Sequence, residues 1–213
     1  MTPVTAWLLR VGASCFLFLL VAGAALAASS PAIDHRMRGK ADAPVTLIEY
    51  SDFTCGYCLK FFKETWPKIQ ARYVDTGKVR FLYKDYPRAG VTAALAARCA
   101  GDQGTYWPMH DRLFAADGRL DVDSYSQHAK AIGLDQSQFR QCLRDAPHMQ
   151  AIFHDRDEAN SWGFHGTPGF VLMRTAQQPT TKNPAIAIPG AFPFEAFEEE
   201  IEKLLAPAGA KQK

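Results

Sequence analysis

The sequence predicts an α/β fold in which strand-forming segments near both ends of the chain flank a purely helical middle. Residues 45–50 are an apolar, β-branched run of strand length, residues 79–84 are a second strand-length run, and a helical pattern separates them. From residue 89 to 162 the apolar residues recur only at helical spacing, and strand patterns return after residue 166. These observations predict an α/β domain with an inserted helical subdomain.

The first part of this domain, residues 44–88, is predicted as a strand–helix–strand unit. The first strand runs into SDFT at 51–54, which is a helix-start signal. A helix is expected from about residue 55 to 74, with a kink at Pro67. A helix that joins two strands at this spacing predicts a right-handed parallel βαβ unit.

Residues 89–162 are predicted as the helical insertion, because Gly and Pro residues divide them into separate helical stretches. The stretches lie at 91–100, 105–116, 121–131, 136–144 and 148–161. Residues 163–206 complete the α/β domain, and residues 207–213 form a tail that is expected to fray. The completing segment has two strands and an amphipathic helix, at 169–173, 185–188 and 193–205.

The composition is that of a globular protein with one hydrophobic core. The chain has 213 residues, of which 47% are hydrophobic and 22% charged, so it can bury a core. Its 24 Lys and Arg residues against 22 Asp and Glu give a net charge of +2. Because binding to nucleic acid needs a concentrated basic excess, no nucleic-acid partner is predicted.

The N-terminal segment predicts export. Residues 11–28 are uncharged and apolar, Arg10 precedes them, and an A-L-A pattern ends the run. These features predict a secretory signal peptide at 1–27, followed by an N-terminal segment at 28–43. Because an apolar run of roughly 17–25 residues spans a bilayer, an uncleaved membrane anchor is the alternative. Both interpretations export the remaining chain, and a periplasmic location is expected.

Four of the five cysteines lie in the predicted exported part, since Cys15 belongs to the leader. Cys55 and Cys58 form a C-x-x-C motif, whereas Cys99 and Cys142 lie apart from other cysteines. An even number of cysteines in an exported chain favours disulfides. A Cys99–Cys142 bond would close a loop of about 40 residues, which contributes about 4 kcal/mol in the chain-entropy model. This pair is predicted to be structural, with two buried thiols as the alternative.

A zinc site is the other common use of a C-x-x-C motif. A structural zinc ion needs four ligands, normally from two such pairs. Cys99 and Cys142 are solitary, and no second C-x-x-C motif accompanies the histidines, of which His148 and His154 are six residues apart. The sequence therefore predicts no metal site, and no cofactor is expected.

The C-x-x-C motif is predicted to be a thiol–disulfide exchange centre. At the first turn of a helix, unpaired N–H groups and the helix dipole favour an anion, so the pKa of Cys55 should be lowered and its thiolate should be the nucleophile. Cys58 lies one turn later on the same side of the helix and deeper, where it can resolve a mixed disulfide.

Glu49 is the candidate proton-transfer group for Cys58. It lies on the strand that leads into the motif, and a carboxyl buried beneath the helix would have a raised pKa and could relay the Cys58 proton. Lys84 on the neighbouring strand could moderate its charge. The alternative is that both are polar residues at strand ends.

Thr167 and Pro168 are predicted to form a rigid turn before a strand. A cis peptide bond at Pro168 would be a retained feature, since only about 5–6% of X-Pro bonds in folded proteins are cis. Such a turn beside the cysteines would present the backbone of Thr167 to an extended substrate segment.

Several motifs together resemble the exported bacterial thiol-disulfide oxidoreductases of the DsbA type. They are IEYSDFTCGYC at 48–58, ARCAGDQGTYWPMHDRLF at 97–114, FRQCL at 139–143 and GTPGFVL at 166–172. The resemblance covers about residues 40–205. It implies a thioredoxin-like fold interrupted by a helical domain, and an enzyme that introduces disulfides into reduced or misfolded exported proteins and is reoxidised by a membrane redox partner.

The resemblance also implies roles for individual residues. Cys55 matches the exposed nucleophile, Cys58 its buried partner, Glu49 the buried acid and Pro168 the cis-proline. Cys99 and Cys142 match a second disulfide found in part of the family.

Two residues depart from the pattern of the best-known oxidase. The dipeptide between the cysteines is Gly56-Tyr57 rather than Pro-His, and Thr167 replaces a Val; both features are more like the disulfide isomerases. An isomerase or reductase is therefore an alternative, although no room is left for the N-terminal dimerisation domain of those isomerases. A metal-binding protein that uses the two thiolates, and a binding module with a closed disulfide, are further alternatives.

Overall fold

A five-stranded mixed β-sheet lies at the centre of the computed structural model, which describes residues 34–177, 179–181 and 184–207. The strands are β1 (Met37–Arg38), β2 (Val45–Ser51), β3 (Val79–Asp85), β4 (Gly169–Arg174) and β5 (Ile186–Pro189). Their order across the sheet is β1-β3-β2-β4-β5. β2 and β3 run parallel, and the other neighbouring pairs are antiparallel. The predicted α/β class and the parallel pairing of β2 with β3 are confirmed.

Several predictions concern the ends of the chain, outside the described residues. These are the signal peptide at 1–27 with Cys15, the first part of the segment at 28–43, and the tail beyond Pro207. Within the described residues, no helix combines the length and the apolar character needed to cross a membrane.

The sequence does not predict β1, which pairs antiparallel with β3. A strand of two residues has no periodicity to detect. Side chains from distant elements hold it in place: the Arg38 guanidinium lies 4.2 Å from the centre of the Trp107 ring and 2.6 Å from Asp111. The indole N–H of Trp107 donates a hydrogen bond to the carbonyl of Met37 (3.1 Å).

The helix predicted over 55–74 is divided at Thr65. Its pieces are α1 (Gly56–Glu64), α2 (Trp66–Ile69) and a π-helical turn (Gln70–Val74). Pro67 has no N–H to donate, and its ring clashes with the carbonyl four residues earlier, so the helix breaks just before it. The Thr65 hydroxyl donates a hydrogen bond to the carbonyl of Phe192 (3.2 Å), which fixes the end of α1 against the loop after β5.

Five helices lie between β3 and β4, as predicted. They are α3 (Val91–Gly101), α4 (Tyr106–Ala115), α5 (Val122–Ala131), α6 (Gln136–Asp145) and α7 (Met149–Ser161). The Ala-rich α3 packs against the other four, because its small side chains allow close approach. A disulfide between Cys99 and Cys142 joins α3 to α6. The division of the chain into 44–88, 89–162 and 163–206 remains a prediction.

Aromatic packing fixes α1 on the sheet. The last helix, α8 (Phe194–Leu205), packs against β2 and β4. Phe61 of α1, Phe170 of β4 and Phe197 of α8 are fully buried and form a cluster with ring centres 4.5–5.5 Å apart. This cluster holds α1, the helix that starts within the C-x-x-C motif, in a defined position above β4.

Candidate active site

The loop that carries Cys55 is held by a buried carboxylate. Asp52 accepts hydrogen bonds from the backbone N–H (2.8 Å) and the hydroxyl of Thr54, and from the backbone N–H groups of Arg88 (2.7 Å) and Ala89 (3.3 Å). The loops after the parallel strands β2 and β3 are therefore tied together at the carboxyl edge of the sheet. The sequence identifies Asp52 only as part of a helix-start signal, because its second set of partners is distant in the chain.

Cys55 lies at the start of α1, half-buried, with a free thiol. Its Sγ lies 3.3 Å from the carbonyl oxygen of Thr167. A hydrogen bond donated by the Cys58 thiol is the largest influence that lowers the pKa of Cys55 to about 5, against the opposing effect of burial. The Thr167 side chain and the backbone N–H groups of Cys58 and Tyr57 lower it further. Cys55 is therefore a thiolate at neutral pH.

Cys58 has the opposite environment. It is fully buried in α1, and its thiol is also free. Burial raises the pKa of Cys58 far above its ordinary value, and the hydrogen bond to Cys55 and the carboxyl of Glu49, when ionised, act in the same direction. In the reduced protein, the Cys58 thiol thus keeps its proton and stabilises the neighbouring thiolate.

Glu49 lies in β2, with only 3% of its surface exposed. Burial raises the pKa of Glu49 to about 8, the Ser51 side chain acts in the opposite direction, and the charge of Cys55 raises it further. Its Oε1 has no hydrogen-bond partner among the described residues. A carboxyl with this raised pKa keeps its proton at neutral pH, and proton transfer between Glu49 and Cys58 stays a prediction.

The expectation that Lys84 moderates the charge of Glu49 is wrong. In the parallel pairing of β2 with β3, Glu49 lies opposite Tyr83, and side chains alternate between the two faces of a strand. Lys84 therefore lies on the other face, where its ammonium group pairs with Glu158 of α7. Tyr83 is the neighbour that sequence reasoning missed. Its buried hydroxyl has no hydrogen-bond partner among the described residues.

The loop before β4 completes the site. The peptide bond between Thr167 and Pro168 is cis, and this loop brings the Thr167 carbonyl to Cys55. Gly169 follows, and a Cβ at this position would lie only 2.6 Å from the ring of Phe164. This close approach requires glycine, because a side chain would displace the buried ring.

Two exposed aromatic rings form the apolar surface beside the site. Phe53 and Phe164 are buried in the core, whereas Tyr57 is 70% and Phe192 45% exposed. The two exposed rings line a groove of about 290 Å³ that also contains Thr167. The groove therefore begins directly beside Cys55.

Comparison with known proteins agrees with this geometry. A family model described as thioredoxin matches residues 32–182. The chain belongs to the thioredoxin family. Alpha-DsbA1 from Wolbachia pipientis has a similar structure, with a TM-score of 0.70, 27% identity and coverage of 79% of this chain and 89% of that protein. The resemblance to DsbA-type oxidoreductases and the thioredoxin-like fold are thus confirmed.

Curated relatives include proteins of different overall length. The chain is 36% identical over 81 residues to disulfide bond formation protein D of Bacillus subtilis. The matched segment covers 36% of this chain and 36% of that protein. This chain is 37% identical over 147 residues to Na(+)/H(+) antiporter NhaA 1 of Salinispora arenicola. That match covers 67% of this chain and 22% of the antiporter. The chain thus spans only about a fifth of the length of that relative.

Proposed function

We propose that the chain is an exported thiol-disulfide oxidoreductase that introduces disulfides into substrate proteins by exchange at Cys55-Gly56-Tyr57-Cys58. The observation that carries this proposal is the contrast between its two thiols. The pKa of Cys55 is lowered to about 5, whereas that of the buried Cys58 is raised. A stabilised thiolate favours the reduced state of the cysteine pair, so its disulfide is readily transferred to a substrate protein.

Each catalytic cycle begins with the Cys55–Cys58 disulfide. A client thiolate attacks Sγ of Cys55, the intramolecular S–S bond breaks, and Cys58 leaves with the electron pair. The protonated carboxyl of Glu49 then donates its proton to Cys58. A second client thiolate attacks the client sulfur of the mixed disulfide, and Cys55 leaves as a stabilised thiolate. The client loses two electrons, and the cysteine pair gains them.

The client is proposed to lie in an extended conformation across the Thr167 loop. The groove beside Cys55 exposes the aromatic rings of Tyr57 and Phe192 and the backbone of Thr167. Unfolded or reduced proteins offer both apolar side chains and free backbone groups, which such a surface can bind. This argues for reduced or misfolded exported proteins as clients, with little dependence on their sequence.

Export and reoxidation are part of the proposal. The predicted signal peptide at 1–27 supports a periplasmic location, where a membrane redox partner would accept electrons from the reduced cysteine pair. Edman sequencing of the protein recovered from the periplasmic fraction is expected to start near Ala28. Recovery of the uncut chain in the membrane fraction would favour the anchor instead.

The reduction potential of the Cys55–Cys58 pair tests the proposed activity. After equilibration with glutathione buffers, a value near the oxidising end, about −120 mV, is expected, whereas a value near −270 mV would identify a reductant. An intermediate value would favour the isomerase alternative. In an assay that follows oxidation of a reduced client protein, Cys55→Ser should abolish oxidation of the client thiols. Unchanged oxidation would contradict the proposal and favour a binding module without redox activity.

A further inference from the structure

A second cluster of chemically reactive side chains surrounds the Cys99–Cys142 disulfide. Asp102 follows α3, one turn after Cys99, and His148 precedes α7, six residues after Cys142. Each cysteine therefore has a second residue of a metal-binding type close to it in sequence, Asp102 after Cys99 and His148 after Cys142. Sulfur, imidazole nitrogen and carboxylate oxygen are the ligand atoms that Zn²⁺ takes in proteins. Asp102 and His148 do not form a regularly spaced pair with either cysteine, so the sequence pattern does not indicate this arrangement.

The donor atoms of these residues converge. Asp102 Oδ2 lies 2.8 Å from His148 Nε2 and 3.6 Å from Cys142 Sγ. The ligand atoms of these three residues all lie within 4.8 Å of one another. The Sγ of Cys99 is bonded to that of Cys142 and supplies a fourth donor at the same point. Four donors, two within helices α3 and α6 and two at the ends of α3 and α7, are therefore close enough to surround one ion.

The cluster is open to solvent on one side. A cavity of about 320 Å³ lies against the disulfide and is lined by both cysteines and Asp102. The side chain of Asp102 is 51% exposed and that of His148 25% exposed. Cys142 is half-buried and faces this cavity, whereas Cys99 is 1% exposed, so a reductant reaches the disulfide from the Cys142 side.

We propose that this cluster is a redox-gated metal site, which binds one Zn²⁺ or a similar divalent cation when the disulfide is reduced. A dithiol reductant transfers two electrons to the Cys99–Cys142 bond and becomes a disulfide, and its two protons pass to the separated sulfurs. Metal binding then displaces both thiol protons to solvent, and Asp102 and His148 complete the ligand set. Disulfide and metal exclude each other, and either one links α3 to α6.

The test uses a full-length variant in which Cys15, Cys55 and Cys58 are replaced by Ser, so that only Cys99 and Cys142 can supply thiolates. The protein is reduced with a phosphine, freed of reductant and titrated with Co²⁺ without oxygen. The expected result is one ion per chain, with a thiolate-to-cobalt charge-transfer band and tetrahedral visible bands. Zn²⁺ should displace the Co²⁺. Because the active-site cysteines are absent, the result does not depend on the proposed oxidoreductase activity.

Matched variants separate a built site from nonspecific thiolate binding. In the same background, Asp102→Asn and His148→Gln should each weaken Co²⁺ binding by at least about tenfold. Asp145→Asn, which changes another carboxylate in the same cavity, should leave it unchanged. The oxidised protein should give no charge-transfer band. Equal affinity in all reduced variants, or no band in the reduced parent, would overturn the proposal.

A stability measurement covers the case in which reduction unfolds the helical region. Zn²⁺ should raise the melting temperature of the reduced parent or restore its far-ultraviolet circular dichroism, because the metal binds only the folded site. It should also slow reoxidation of Cys99 and Cys142. A reduced protein that neither gains stability nor refolds with excess Zn²⁺ would contradict the site.

Discussion

The chemistry of Cys55 depends on a few polar contacts to one sulfur atom. The Cys58 thiol, the Thr167 side chain and two backbone N–H groups stabilise the thiolate and lower its pKa to about 5. The rate at which reduced Cys55 reacts with iodoacetamide should therefore rise with pH around a midpoint near 5. A midpoint between 8 and 9 would show that these contacts do not stabilise the anion.

The contribution of Thr167 can be separated from the others. Thr167→Val removes the hydroxyl and keeps the shape of the side chain, so the midpoint of Cys55 alkylation should move to higher pH. Thr167→Ser keeps a hydroxyl and serves as the matched control, with a midpoint close to that of the parent protein. Equal midpoints in all three proteins would assign the low pKa to Cys58 and the helix start alone.

Glu49 should make the stability of the oxidised protein depend on pH. Burial is the largest cause that raises its folded-state pKa above 4.5 and does not depend on the Cys55 charge, so the stability linked to its proton is complete below pH 4.5 and is lost as pH rises through the raised pKa. Urea unfolding should show a loss on the order of a few kcal/mol between pH 5 and 9 that Glu49→Gln removes. The exposed Glu64→Gln should behave like the parent, and parallel pH profiles for all three would contradict the assignment.

At the scale of single elements, β4 is positioned by its first residue. A Cβ on Gly169 would lie 2.6 Å from the ring of Phe164, which is 3% exposed and packs against Tyr50. Gly169→Ala should therefore lower the free energy of unfolding by about 1–3 kcal/mol. In Gly166→Ala, where no other atom lies within 4 Å of the new Cβ, the change should stay within about 0.5 kcal/mol. Urea midpoints that are equal for the two variants would refute this packing.

The helices and most strands were predictable because each contains its own signal. The five helices between β3 and β4 are bounded by glycines, prolines and caps such as Asp121 and Asp135, which hydrogen-bond to their own first turns. β1 carries no such signal, since its two residues are held by Trp107 and Asp111 from another part of the chain. The break at Thr65 was predicted two residues late, at Pro67, because the proline ring disturbs the turn before it.

For the whole molecule, the disulfide is the covalent link within the helical region. Cys99 and Cys142 are 43 residues apart in sequence, so replacing both by Ala should lower the free energy of unfolding by about 2–4 kcal/mol. The alkylation midpoint of Cys55 should not change, because the pair lies outside its hydrogen-bonding environment. A change in that midpoint without loss of stability would mean that the disulfide acts on the active site instead.

The sequence by itself determined the α/β class, the helical insertion and the position of the C-x-x-C motif at a helix start. It could do so because periodicity, capping residues and motif spacing are local properties of the chain. It also predicted Glu49 and the Thr167-Pro168 turn beside the cysteines from their positions in the chain, and the resemblance to the DsbA type implied roles for Glu49 and Pro168.

Only the tertiary structure decided which side chains meet across the fold. The parallel register of β2 and β3 places Tyr83 rather than Lys84 beside Glu49, and Lys84 binds Glu158 on the opposite face. The meeting of two helix ends brings Asp102 and His148 to the second cysteine pair, for which the sequence had suggested only a structural role. The physical reason is that strand register and helix packing set distances between residues far apart in the chain, and local patterns carry no information about those distances.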